Sequence, residues 1–223
     1  MKMHLNGALS LVPLLAALCK GAIMVNLTDE VKNYVQEVNK TRNIIDWGLS
    51  YAYVIGIRDW QGDLGFPIST RVDKLECVPE DANRDGVQKM RRTSSCTEEF
   101  TLDIDRGMYI PFTLSTVVRF PLMGQRRIGE KYPVDVALNN REIFHKTIGA
   151  SSPGEPILKS CKFEVKATIY GTFAYHLKGK LIEDGKYVSV PVGRLANSSK
   201  KLIASGDNLE YNLTGYYTET VCH

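Results

Sequence analysis

Three histidines, His145, His176 and His223, are the side chains beyond the N-terminal stretch that could act as a base near neutral pH. A nucleophile–base pair needs such a histidine beside an activated serine or cysteine. No G-x-S-x-G run surrounds any serine, and no glycine-rich phosphate loop occurs. His176 falls on the polar side of an alternating run, and His145 follows Phe144 in a segment of ambiguous periodicity. The acidic pairs Asp103/Asp105 and Glu98/Glu99 fit the polar faces of strands better than an acid–base couple. The residues therefore nominate no catalytic group, no cofactor-binding group and no metal ligand, and the protein is expected to be non-enzymatic.

Cysteine chemistry is more informative. Of five cysteines, Cys19 lies in the N-terminal apolar stretch, leaving Cys77, Cys96, Cys161 and Cys222. An even count in an oxidising compartment implies two disulfides, with three pairings open to four cysteines. Cys77–Cys96 with Cys161–Cys222 is the expected pairing, since the first would close a polar loop and the second would tie a long strand to the C-terminal end. No C-x-x-C spacing and no neighbouring histidine supports a zinc site. Asp81, Asn83, Asp85 and Gly86 resemble the start of a calcium loop, but the position due a bidentate glutamate is Arg92. Four sequons begin at Asn26, Asn39, Asn197 and Asn212, the expected glycosylation sites.

Lys2 followed by the apolar run Ala8–Leu18 and small residues has the order of a secretory signal peptide. Residues 1–21 are assigned to it, with cleavage after Cys19 or Gly21, and residues 22–223 to one secreted, extracellular β-rich domain. The net charge is +3 with 24% charged residues. That balance is too mild and too interspersed for a nucleic-acid partner.

The elements that must position these residues are mostly strands. Cys161–Leu177 alternates small or apolar residues with polar ones along its whole length. It reads as one strand of roughly 55 Å at about 3.3 Å per residue, with Gly171 marking a bend or bulge. Glu98–Leu122 is a second long alternating tract, read as two strands meeting at Asp105-Arg106-Gly107 or one kinked strand, with Pro111 at an edge or bulge. Further strands are expected at Trp47–Arg58, Thr70–Glu76, Tyr132–Leu138, Tyr187–Val192 and Leu209–Tyr217, with turns at Ser151–Pro156 and Asp184-Gly185. Thr28–Asp46 carries Val31, Tyr34, Val35, Val38 and Ile45 at helical spacing and predicts one amphipathic helix packed on the sheet. The fold class is all-β: an elongated antiparallel sheet or sandwich with long bent strands and an N-terminal helix.

From Cys96 to Leu181 the chain resembles the aerolysin/epsilon-toxin-like superfamily, and within it the spherulin-type short secreted proteins. The residues that carry this are TEEFTLDI (Thr97–Ile104), FPLMGQRRIGEKYPVDVAL (Phe120–Leu138) and SSPGEPILKSCKFEVKATIYGTFAYHLKG (Ser151–Gly179). The resemblance implies long bent strands, binding to an extracellular surface, glycan, lipid or protein, and self-association into a homo-oligomer. Some members convert an amphipathic hairpin into a membrane barrel. Asn140–Ser152 is too short for two arms of about 9–11 residues, and Glu98–Leu122 would have to leave the core to supply them. The fold therefore transfers better than pore formation. The alternative function class is a lipocalin-like β-barrel carrier of a small apolar ligand.

Overall fold

The computed structural model describes residues 23–49, 66–78, 88–89, 93–123, 131–139, 143–179 and 186–222. The signal segment, Arg58 and most of the strand expected before it, the acidic stretch at Asp81–Asp85, the Asp184-Gly185 turn and His223 lie outside these residues.

The chain is all-β with one α-helix. Strand β1 (Ile23–Asn26) leads into helix α1 (Leu27–Asn39), followed by β2 (Ile44–Gly48), β3 (Ser69–Val72), β4 (Glu76–Cys77), β5 (Gln88–Lys89) and β6 (Thr93–Tyr109). Then come β7 (Ser115–Phe120), β8 (Tyr132–Ala137), β9 (Phe144–Gly154), β10 (Pro156–Tyr170) and β11 (Thr172–Leu177). The chain continues with β12 (Lys186–Pro191), β13 (Ile203–Ser205) and β14 (Asn208–Cys222).

The helix is shorter than its apolar spacing suggests. Asn26 caps it, its side chain accepting from the Thr28 amide at 3.0 Å. Val31 and Val35 are buried, but the helix ends at Asn39 and Ile45 lies exposed in β2. Ile45 matched the helical stripe by coincidence, because two adjacent isoleucines and a tryptophan suit a strand equally well.

The main sheet runs β1-β6-β14-β10-β3, with β9 also on β6 and with β4, β5 and β13 on its long strands. Its spine is the antiparallel pair β10–β14, in unbroken register from Pro156↔Cys222 to Ile169↔Leu209. β6 runs antiparallel along the other edge of β14, and β1 pairs with β6 in parallel. A register shift separates Thr214↔Arg106 from Gly215↔Ile104, leaving Asp105 as the extra residue of a bulge. Here the tract expected to break or kink at 105–107 bends but continues to Tyr109. Gly215 is required opposite this bulge, where a Cβ would lie 2.0 Å from the Asp103 carbonyl oxygen.

Cys161–Leu177 is two strands rather than one. Gly171 takes φ +100°, and a Cβ there would meet the Pro67 carbonyl oxygen at 2.5 Å. At this corner the chain leaves the main sheet and enters a second one, β12-β11-β2. The turn expected at Ser151–Pro156 is narrower than its composition implies: β9 reaches Gly154 and β10 begins at Pro156, with Glu155 between them. β7 and β8 form a separate two-stranded antiparallel sheet.

The disulfides join Cys77 to Cys161 and Cys96 to Cys222, with Cα separations of 5.6 and 5.8 Å. This corrects the expected pairing. β4 lies on β10 and β6 on the far side of β14, so Cys77 and Cys96 are three strand spacings apart, about 14 Å, beyond disulfide reach. Cys161 sits opposite Tyr217, five residues along β14 from Cys222.

Candidate functional site

The positions singled out by sequence do not converge. His145 Nε2 lies 2.9 Å from Glu99 Oε2 across β9 and β6, in an exposed pair. His176 stacks on Tyr187 with ring centroids 4.3 Å apart. Neither is bonded to a serine, threonine or cysteine side chain among the described residues. No group of three or more His, Cys, Asp or Glu capable of holding a metal occurs among the described residues. Glu98 is buried, not on the polar face expected for it, because adjacent residues of a strand point to opposite sides.

The sequon asparagines are scattered. Asn39 and Asn212 are exposed, Asn26 and Asn197 half-buried. Asn197 Oδ1 caps a short 3-10 turn, accepting from the Ser199 amide at 3.2 Å, and Asn212 Nδ2 donates to Glu164 at 2.7 Å.

The arrangement with functional geometry is one the chemistry-bearing residues did not announce. Hairpin β7–β8 lies between β6 and β9 in the chain, while β6 and β9 are themselves paired neighbours. The hairpin is thus an insertion that leaves the main sheet and returns to the same edge. It is amphipathic. Leu114, Thr116, Val118 and Phe120 are buried, as are Val136 and Leu138, whereas Ser115, Val117, Arg119, Asp135 and Ala137 face solvent. Phe120 stacks on Phe100 of β6 at 5.8 Å, and Phe100 stacks in turn on Tyr217 of β14 at 5.5 Å. At the base of the hairpin, Thr70 Oγ1 donates to the Thr113 carbonyl at 2.5 Å and Thr116 Oγ1 donates to the Asp73 carbonyl at 3.2 Å.

A buried carboxylate clasps the other end. Glu219 of β14 has no solvent exposure and points to the same face as Tyr217 and Val221. Its Oε2 accepts from the Leu122 amide at 2.7 Å and from the Tyr217 hydroxyl at 3.0 Å, and its Oε1 accepts from the Met123 amide at 3.0 Å. Lys159 of β10 donates to the Met123 carbonyl at 2.7 Å. Burial pushes the Glu219 carboxyl above the usual carboxylate range, opposed by the Leu122 amide, the Tyr217 hydroxyl, the Met123 amide and the Lys159 charge. Burial likewise pushes the Tyr217 hydroxyl up, reinforced by Glu219. A charge-capable group in this position is costly unless its lone pairs are filled, and backbone amides of the hairpin turn fill them. Glu219 therefore fastens the end of the hairpin to the central strand.

Comparison with known proteins leaves the chain isolated in sequence. No family model matches it, and no curated protein matches it. Among solved structures, it is similar to one in a complex of Cry23Aa1 and Cry37Aa1, with 17% identity, TM-score 0.48 and coverage of 89% of this chain and 86% of that one. It is similar to a non-toxic crystal protein from Bacillus thuringiensis, with 9% identity, TM-score 0.45 and coverage of 90% and 94%. A further likeness is to the Mpp75Aa1.1 β-pore-forming protein of Brevibacillus laterosporus, with 9% identity, TM-score 0.29 and coverage of 70% and 62%. Likenesses this remote carry no argument about activity.

Glu219 was legible in part. Continuing the alternation of Leu209–Tyr217 by two residues places a glutamate on the apolar face. A charged residue at a core parity is the signal for a paired or clasping role. What it clasps, an amide pair about a hundred residues away, has no local signature.

Proposed function

We propose that this chain is a secreted, non-catalytic protein of aerolysin-like build that docks on an extracellular surface, self-associates and carries β7–β8 as its membrane-seeking element. The observation behind this reading is the hairpin itself: amphipathic, outside the main ladder, and inserted between two adjacent strands. It can leave without breaking the β6–β14–β10 pairing. Leu114–Leu122 is nine residues of alternating character, close to the 9–11 of a barrel strand. Pro121 and Pro133 both sit toward the loop end of the hairpin, where a missing ladder donor costs least. Self-association is supported by β9, whose outer edge has no partner strand along 144–154 among the described residues. The two cross-strand disulfides suit an oxidising, extracellular setting, and Asn39, exposed at the end of α1, is the sequon best placed to carry a glycan. The carrier reading is not favoured, because β9 and β3 stay unpaired to one another and the described sheet does not close.

Single cysteine labels with a polarity-sensitive dye at Thr116 and at Val117, on lipid vesicles, test this. With nitroxide-labelled lipid as quencher, the expected result is quenching of the dye at Thr116, none at Val117, and release of a trapped dye. Vesicles that stay sealed, with both positions unchanged by lipid, rule the hairpin out as a membrane element.

A further inference from the structure

The loop end of β7–β8 is held differently from its base. At the base, Thr70 Oγ1 donates to the Thr113 carbonyl, Thr116 Oγ1 to the Asp73 carbonyl, and Asn139 Nδ2 to the Phe112 carbonyl at 3.2 Å. These bonds lie where the hairpin joins the body, so they form a hinge. At the loop end the polar grip comes from two residues of the spine. Lys159 of β10 and Glu219 of β14 are directly opposed in the antiparallel register, and opposed residues share a face of the sheet. Glu219 takes the Leu122 and Met123 amides, and Lys159 takes the Met123 carbonyl. These three bonds all fall on backbone groups of two residues just beyond β7. The Tyr217 hydroxyl steadies the Glu219 carboxyl from its own strand.

We infer that Glu219 and Lys159 form a two-sided clamp on the Leu122–Met123 backbone, and that its opening, from the loop end, is the step that frees β7–β8. The remaining hold at this end is apolar contact, which is non-directional and which a bilayer can replace. The clamp is directional and has no equivalent in hydrocarbon, where backbone polar groups must be satisfied within the protein. Its two halves are also of opposite charge. Once the hairpin leaves, carboxylate and ammonium face each other across the β10–β14 ladder and can pair, so opening strands no lone charge on the sheet. A staple that never opens needs no such second arrangement. The clamp's part in delivery rests on the reading of β7–β8 as the membrane-seeking element, whereas the clamp itself is measurable without lipid.

The test places a single cysteine at Val118, buried on the body-facing side of β7, and follows its alkylation by iodoacetamide in the whole protein without lipid. A cysteine at Val192, buried in the 3-10 turn Val192–Leu195 that touches α1 and β14, reports unfolding of the body. Val118 should label faster than Val192 and with a weaker dependence on urea, because local opening exposes less surface than unfolding. Glu219→Gln keeps the shape of the side chain but leaves one oxygen to accept what two accepted, and Lys159→Met removes the opposite grip. Each should speed labelling at Val118 about tenfold or more, the effect of one lost buried hydrogen bond. Thr70→Val should leave that rate unchanged, since a hinge bond is kept in the opened state. On vesicles, both clamp variants should release trapped dye faster than the unaltered protein. Vesicles that stay sealed while Val118 opens would support the clamp and remove only the membrane reading. Equal rates and equal urea dependence at Val118 and Val192 would show that the hairpin leaves only when the body unfolds, and overturn the inference. Clamp variants that leave Val118 unchanged, or a Thr70→Val effect as large as theirs, would overturn it too.

Discussion

At the scale of single residues, Glu219 carries the most consequence. Removing its carboxylate orphans the Leu122 and Met123 amides and the Tyr217 hydroxyl in the core. At about 1–3 kcal/mol for each buried group left unpaired, Glu219→Ala is expected to destabilise the protein by several kcal/mol, read from denaturant unfolding. Glu219→Gln isolates the charge. Burial raises the folded-state pKa of Glu219 above its unfolded value, so its contribution is fully present below the unfolded pKa and fades as pH rises through the folded one. Glutamine does not titrate. The stability of Glu219→Gln relative to the unaltered protein should therefore improve with rising pH across that window, in unfolding curves collected at several pH values. A flat difference would show that the buried carboxyl does not titrate there. Gly171 is the other sensitive residue. Its φ of +100° and the Pro67 carbonyl oxygen 2.5 Å from where a Cβ would lie leave alanine without a fit. Gly171→Ala should lower stability by about 1–3 kcal/mol, in the same assay.

At the scale of elements, what was legible followed from parity. The alternation in 161–177, 98–122 and 209–217 gave strands where strands occur, because each buries one face and leaves the other wet. Their partners and ends were less visible. Gly171 signals a bend, yet nothing local says that the chain changes sheets there, since alternation continues on both sides of it. Ser151–Pro156 shows the opposite error: residues that favour turns were drawn into β9 by pairing with β6. The disulfide expectation failed for a related reason. Nearness in sequence stood in for nearness in space, and β14 separates β6 from β10. The candidate site was the least legible element of all. The two arms of β7–β8 each alternate in sequence, but Phe120–Leu138 reads as a turn followed by a strand unless one knows that β6 and β9 are neighbours.

At the scale of the whole molecule, two cross-links hold strands that are remote in sequence, with separations of 84 and 126 residues. In the chain-entropy account, loops of this size correspond to about 4–5 kcal/mol each, with strain and residual structure reducing the figure. Replacing Cys96 and Cys222 together by alanine should lower the denaturation midpoint, and the Cys77/Cys161 pair should do likewise. Because the bridges join different strand pairs, β6–β14 and β4–β10, the two losses should be close to additive in the quadruple variant. A quadruple variant no less stable than either double would show that one bridge alone constrains the sheet.

The central strand of that sheet, β14, is also the last described strand in the chain. β6 and β10 flank it and do not pair with each other. During synthesis, β6 and β10 are therefore both made before the strand that joins them exists. For the interval in which Asn208–Cys222 is still missing, their inward edges and the apolar faces of Phe100, Leu102, Phe163 and Val165 have no permanent partner. Assembly of the sheet must then be a late, long-range event, of the kind that is slow and exposed to aggregation. A chain shortened before Asn208 would lose the middle of its sheet rather than its margin, and is expected to accumulate as a chaperone-bound or aggregated species rather than as a smaller version of the same fold.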